Sequence, residues 1–268
     1  MIPVTLTIAG SDCSSGAGLQ ADLKTFQAFG TFGLTALTAA VSETPLVVEQ
    51  IHDLPPAFVR AQLALLRRSY PIAAAKVGML SSKAVVEAIH GALFPADDPA
   101  TFPLVIDPVM VATAGGQLLH PDALGALSSL LLPRSTLITP NLFEAAALLG
   151  SAVPLGASPS TMELAAAQLA AQFSTSVLIK GGHATDPLLA RDVLSHRGQI
   201  SWFEERRIPD TPTHGTGCTL SAAIAAGLAL GLDLPDAIAR AKRFVTGAIA
   251  GAHRWQGPSG PIYALDQR

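Results

Sequence analysis

The chain has 268 residues, with 17 Lys and Arg against 20 Asp and Glu. Its net charge of −3 forms no block of like sign, which argues against a nucleic-acid or membrane-surface partner and for a small molecule. Only two cysteines occur, Cys13 and Cys218, without CxxC or paired spacing, so neither a disulfide framework nor a cysteine metal site is expected and a reducing cytosol fits.

PVTLTIAG near the N-terminus reads as a strand, and Leu19, Leu23 and Phe26 then recur at helical spacing. GLTALTAAV reads as the next strand, with Val59, Leu63 and Leu66 marking a second helix. AAAKVGM, PLVIDPV, STLITPN and SVLIKGG are further strands, and Ser160 with Glu163 forms a capping-box pattern ahead of LAAAQLAAQF. These near-continuous apolar runs mark strands covered on both faces. The alternation lapses in DVLSHRGQISWFEERRI, where two extended segments around Arg197-Gly198 predict an antiparallel hairpin from Asp192 to Ile208.

The charge-free stretches Thr25 to Ser42 and Gly215 to Leu232 approach membrane-span length, but glycines, threonines and a loop interrupt them. The N-terminus lacks a basic n-region, so a soluble cytoplasmic protein is expected. With no long linker and no repeat, the reading is a single domain, 1–268, of α/β class: a doubly wound, mostly parallel sheet with helices on both faces and a small antiparallel hairpin.

In such sheets ligands bind beyond the carboxyl ends of the strands. Gly10 to Gly18, Met110 to Gly116, Asn141 with Glu144, and Gly181-Gly182-His183 fall there. Neither GxGxxG nor GxxxxGK[ST] occurs. THGTGC, at 213–218, precedes an Ala-rich helix, so its glycines either bring backbone amides to an anion at a helix N-terminus or simply make a turn. Asn141 and Glu144 fit an N-cap with its N3 acid, a ligand role, or both. Asp107, before Pro108, is either hydrogen-bonded structurally or part of a cation site. Lys180 either reaches a phosphate or snorkels to water. His183 and His214 fit loop hydrogen bonding better than metal ligation, and Cys13 reads as a bystander.

Taken in order, TIAGSDCSSGAGLQADLKTF, KVGML, DPVM, TPNLFEAAALLG, KGGH and HGTGCTLSAAIAAGLALG closely resemble the bacterial hydroxymethylpyrimidine and phosphomethylpyrimidine kinases, within the ribokinase-like superfamily. The resemblance implies a three-layer α/β fold, ATP as phosphoryl donor, Mg²⁺, a homodimer, and transfer first to a pyrimidine hydroxymethyl group and then to the resulting phosphomethyl compound. It implies that Gly215, Thr216 and Gly217 form an anion hole and that Cys218 stands where related sugar kinases carry an aspartate base. Gly10, Asp22, Val41, Glu43, Met79 and Val109 would line the aminopyrimidine pocket. Asp107 and Glu144 would place Mg²⁺ and its waters, with Asn141 and Lys180 along the triphosphate.

One position departs from the family's pattern: the segment ending at Glu43 usually ends in glutamine, which both donates and accepts, whereas an ionised glutamate only accepts. Either Glu43 is protonated, or the pyrimidine binds protonated, or the substrate differs; a solvated glutamate is the bland alternative. A carboxylate–pyrimidinium pair is the expectation, with binding that weakens as pH rises above the ligand's pKa. Three rival activities remain open: pyridoxal kinase, a thiol hydrolase or acyltransferase using Cys218 with His214 or His183, and a catalytically silent pyrimidine-binding regulator.

Overall fold

A computed structural model describes residues 1–110, 120–151, 158–182, 188–209, 214–258 and 260–268. His183, the stretch 111–116 and the proline-rich patch 210–213 lie outside the described residues. In chain order the elements are β1 (Val4–Ala9), α1 (Gly18–Phe29), β2 (Phe32–Leu37), β3 (Ala39–Thr44), β4 (Val47–Asp53), α2 (Pro56–Ser69), β5 (Ile72–Val77), α3 (Lys83–Leu93), β6 (Leu104–Ile106), α4 (Pro121–Ala126), β7 (Leu137–Ile138), α5 (Leu142–Leu148), α6 (Pro159–Phe173), β8 (Ser176–Lys180), β9 (Leu189–His196), β10 (Gln199–Arg206), α7 (Thr216–Ala229), α8 (Leu234–Ala250), β11 (His253–Gly257) and β12 (Gly260–Ala264).

Eight strands form one sheet in the order β10-β9-β8-β7-β6-β5-β1-β2. β8 through β2 pair in parallel, and the β9–β10 hairpin continues the edge antiparallel. Alternate residues of the strands feed two cores. Leu6, Ile8, Leu104, Ile106, Val177 and Ile179 pack with α2, α3, α4 and α6 residues, while Val105, Leu137 and Leu178 pack with α1, α7 and α8 residues. Helices on both faces make three layers, as expected for a ribokinase-like fold, and explain strands with almost no polar alternation. Each such buried aliphatic side chain contributes about 1.5–3 kcal/mol.

The predicted hairpin is present, and Arg197 and Gly198 both have positive φ (50° and 77°), the conformation of a two-residue hairpin turn. Two expectations need correction. GLTALTAAV is not one strand: it breaks at buried Thr38, whose N–H donates to Ala9, whose hydroxyl donates to Met79 O and whose carbonyl accepts from Leu54 N–H. β3 therefore leaves the main sheet and pairs antiparallel with β4 in a sheet of its own. The cap of α6 is Ser158, accepting from Thr161 N, rather than Ser160; Pro159 fills the first helical position, and Glu163 instead accepts from Trp202 Nε1 at 2.8 Å. The β11–β12 hairpin has no counterpart in the sequence reading because β11 is mostly exposed and shows no apolar alternation. Among the described residues no helix is long and apolar enough to cross a membrane.

Candidate active site

The segment THGTGC ends inside α7 rather than before it. The helix starts at Thr216, and its N-cap, Gly215 at φ +82°, provides no side-chain cap. A Cβ at Gly215 would lie 1.9 Å from Gly16 O, so only glycine lets the start of α7 meet the loop after β1. A glycine N-cap brings no side chain of its own to the positive end of the helix dipole, an end that favours an anion.

On one side of this turn lie the residues of the carboxyl ends of β6 and β8. Lys180 Nζ donates to Asp107 Oδ1 at 2.6 Å, Thr139 Oγ1 donates to the same oxygen at 3.3 Å, and Glu144 Oε2 lies 3.9 Å from Nζ. A Cβ on Gly217 would sit 3.3 Å from both Asp107 Oδ2 and Lys180 Nζ, so the pair presses directly against the first turn of α7. Lys180 does not snorkel to water: its side chain is mostly buried and its ammonium meets Asp107. Burial alone would push its ammonium down, but the Asp107 and Glu144 carboxylates hold it above the usual lysine range. Glu144 is pushed up to about 7 by burial and by Asp107, against the pull of Lys180 and of the Asn141 and Met110 amides.

Asn141 and Glu144 form the full capping box. Asn141 Oδ1 accepts from the Phe143 and Glu144 amides at 2.9 Å, and Glu144 Oε2 accepts from Asn141 N at 2.7 Å. The box and a bridge from Asn141 to Lys180 lock the end of β8 to the start of α5. The capping role is therefore real, and it holds the Glu144 carboxylate next to Lys180.

At the end of β1, Gly10 packs against Met79 and Val41: a Cβ there would lie 2.9 Å from Met79 Sδ and 3.8 Å from Val41 Cγ2. These three residues share one wall, and Val109 follows Asp107 at the end of β6 with its N–H donating to the Asp107 carbonyl. Asp22 does not join that wall with an open carboxylate. It is completely buried, both of its oxygens lie within 2.9 Å of Lys76 Nζ, and Thr7 Oγ1 donates to it at 2.5 Å. Burial pushes Lys76 down, but the Asp22 carboxylate outweighs this and keeps the ammonium charged.

Cys218 is partly exposed and free. Burial pushes its thiol up to about 11; Asp22 and Asp107 add to this, while Lys76 and the Gly18 N–H oppose it. A neutral thiol at pH 7 is a poor resident nucleophile, and His214 Nε2 is 2.9 Å from Asp12 Oδ2. That arrangement argues against a Cys–His hydrolase pairing.

Asp12 was not singled out by its sequence, yet it ties this half together. It accepts from Ser14 N and Oγ, Gly16 N and Ala17 N, and its contact with His214 spans 202 residues of chain to reach the start of α7. Burial would raise its carboxyl, but His214, Ser14 and Ala17 hold it at about 2. Glu43, at the end of β3, is half-buried, and burial together with the Asp12 charge pushes it up to about 7 against the pull of His214. It is no fully solvated glutamate. Cys13 is exposed, and its thiol bonds to the Glu43 backbone, 3.2 Å from the carbonyl. Lys76, also missed, carried a signal: a lysine inside the apolar run AAAKVGM is too costly to bury without a carboxylate partner.

A family model described as phosphomethylpyrimidine kinase matches residues 12–263. The chain is 44% identical to a hydroxymethylpyrimidine/phosphomethylpyrimidine kinase of Haemophilus influenzae over 91% of this chain and 90% of the relative. A structure of Bacillus subtilis pyridoxal kinase with ADP superposes with a TM-score of 0.86 at 37% identity, covering 99% of this chain and 98% of that one. A phosphomethylpyrimidine kinase of Clostridium difficile superposes with a TM-score of 0.78 at 35% identity, over 93% and 100%.

Proposed function

Because this chain belongs to the phosphomethylpyrimidine kinase family, we propose that the site around α7 phosphorylates 4-amino-5-hydroxymethyl-2-methylpyrimidine and then its monophosphate, with ATP as donor. One observation supports this reading: the first turn of α7 borders a lysine–carboxylate group at Gly217, and its N-cap Gly215 meets the loop after β1, the strand that ends at the Gly10–Val41–Met79 wall. The lysine–carboxylate group would receive the triphosphate and the wall the pyrimidine. ATP use is supported by the ADP complex of the Bacillus subtilis relative. The 268 residues act as one kinase domain.

Gly215, Thr216 and Gly217 supply amides and helix dipole to the γ-phosphoryl group in flight, and Lys180 exchanges its bond to Asp107 for a phosphate oxygen. Asn141 keeps Lys180 and Glu144 in register. Asp107 and Glu144 share a single lysine, which leaves room for a further cation, and two carboxylates plus substrate phosphates suit Mg²⁺. When bound, that ion would neutralise charge on the β- and γ-phosphoryl oxygens.

The bond from the γ-phosphorus to its bridging oxygen breaks, the bond to the substrate oxygen forms, and ADP leaves. The hydroxymethyl proton passes to Cys218 Sγ as transfer proceeds, which requires the thiolate. Since the thiol lies near 11, thiolate is the minority species at neutral pH and turnover rises toward alkaline pH. Asp22 contributes from beneath, through Lys76, rather than by touching the ring. Glu43, near 7, shares one proton with the pyrimidine ring nitrogen, whichever partner holds it, and so stands in for the glutamine usual in the family.

Coupled ADP release should proceed with both pyrimidines, and Cys218→Ala should retain ATP binding while losing roughly 10²–10⁴-fold in kcat. Full turnover in that variant would reduce Cys218 to a packing residue. Pyridoxal is the second alcohol to assay, because pyridoxal kinases superpose on this chain at a TM-score of 0.86. Faster turnover of pyridoxal than of the pyrimidine would reassign the substrate. The protein works in the cytosol as a homodimer; exposed Leu46 and Val47 at the turn of the separate β3–β4 sheet support an interface there, which light scattering would measure.

A further inference from the structure

The residue after Cys218 is held by the far end of the chain. Thr219 is completely buried, its amide closes the first turn of α7 on the Gly215 carbonyl at 2.9 Å, and its hydroxyl accepts from Gln267 Nε2 at 2.7 Å. Gln267 lies 48 residues further along and is 5% exposed, although its neighbours Asp266 and Arg268 form an exposed ion pair with each other. The β11–β12 hairpin turns the chain back, Asp266 N donates to Ala248 O near the end of α8, and Leu265 is buried beside it. Residues 264–268 fall beyond the 12–263 matched by the family model.

We propose that Gln267 is a positioning residue for phosphoryl transfer: its amide clamps Thr219 and thereby fixes the amides of α7's first turn and the Cys218 sulfur. Gly215, the N-cap of α7, has no side chain with which to hold the first turn, and helices fray most readily at their ends. Gly215 itself cannot be given a capping side chain, because it must be glycine to clear Gly16. The Gln267–Thr219 bond adds a hold from tertiary structure. Burying a primary amide is unfavourable unless it is hydrogen-bonded, so the tail docks in one register with Gln267 on Thr219. Displacing a reacting group by about 1 Å can cost 10²-fold in rate, whereas affinity depends less steeply on it.

The inference rests on the kinase reading for its catalytic consequence, and two readouts separate the two. In Gln267→Met, which keeps the shape and deletes the bond, hydrogen exchange at amides 216–219 should accelerate roughly tenfold while the melting temperature stays within a few degrees. In the same variant kcat should fall about tenfold with KM for ATP nearly unchanged. Thr219→Val should behave alike, the double variant should be no worse than either single one, and Arg268→Ala should match the unaltered protein. Unchanged exchange at 216–219 overturns the clamp whatever the enzyme's activity. Faster exchange with undiminished kcat overturns its catalytic role, and additive losses in the double variant overturn the direct coupling. Absence of ADP release from the unaltered protein would defeat the kinase reading while leaving the exchange result to decide the clamp.

Discussion

Two lysine–aspartate pairs lie near the first turn of α7, and they are built to opposite specifications. Lys76 and Asp22 are both at 0% exposure, the ammonium meets both carboxylate oxygens, and Thr7 donates to one of them. Lys180 and Asp107 meet through one oxygen, retain slight exposure at the lysine, and have a second carboxylate, Glu144, at 3.9 Å. The first pair is closed: one cation, one anion, no access. It can act on Cys218 only through its field. The second carries more acceptors than its single lysine can satisfy and borders Gly217, so it can exchange partners with an arriving phosphate. A buried pair is weak evidence for net stability but strong evidence for what happens when one member is lost.

The comparison breaks most visibly at Lys76. Lys76→Met leaves Asp22 buried without its cation and should cost about 3–5 kcal/mol in urea unfolding, with much of that recovered in Lys76→Met/Asp22→Leu. A stable single variant would mean that the pair is open to water after all. Lys180→Met should do the reverse, lowering kcat/KM for ATP about 10²-fold while stability falls far less, because Glu144 near 7 can take up a proton. Equal losses of stability in both lysine variants would erase the distinction.

Glu43 belongs to neither pair and tests whether charge on the substrate side is set locally. The apparent KM for the pyrimidine should rise about tenfold per pH unit above 7, as the shared proton is lost, and Glu43→Gln should flatten that profile. Superimposable profiles would remove the ring contact. The smallest effect is on folding. Glu43 is raised from 4.5 to about 7, so between those values the native state binds more protons than the unfolded chain. Its contribution to stability is fully present below 4.5 and is lost as pH rises through 7. For a half-exposed group this amounts to less than about 1 kcal/mol. Urea midpoints of the unaltered protein and Glu43→Gln should therefore converge at low pH and separate slightly above 7.

The legible parts of the sequence were those where one segment determines its own environment. Buried strands announced themselves by apolar runs, the β9–β10 turn by Arg197-Gly198, and the Asn141–Glu144 box by its spacing. Where a segment's fate depends on a distant partner, local reading failed. The break at Thr38 depends on Ala9, Met79 and Leu54, and the cap of α6 shifted once Trp202 claimed Glu163. The C-terminal hairpin, mostly exposed on β11, gave no periodic signal at all.

The same division holds at the site. The order of motifs along the chain pointed to the proposed phosphate-binding turn and its neighbours, since strand-end position follows from topology and glycine content is written locally. Tertiary structure alone decided which charges oppose which: Asp22 is answered by Lys76, 54 residues away, and Asp12 by His214, 202 away. Burial and Coulomb interactions depend on distances through space, so the protonation of Cys218, Glu43 and Glu144 was set by the fold rather than by the residues beside them.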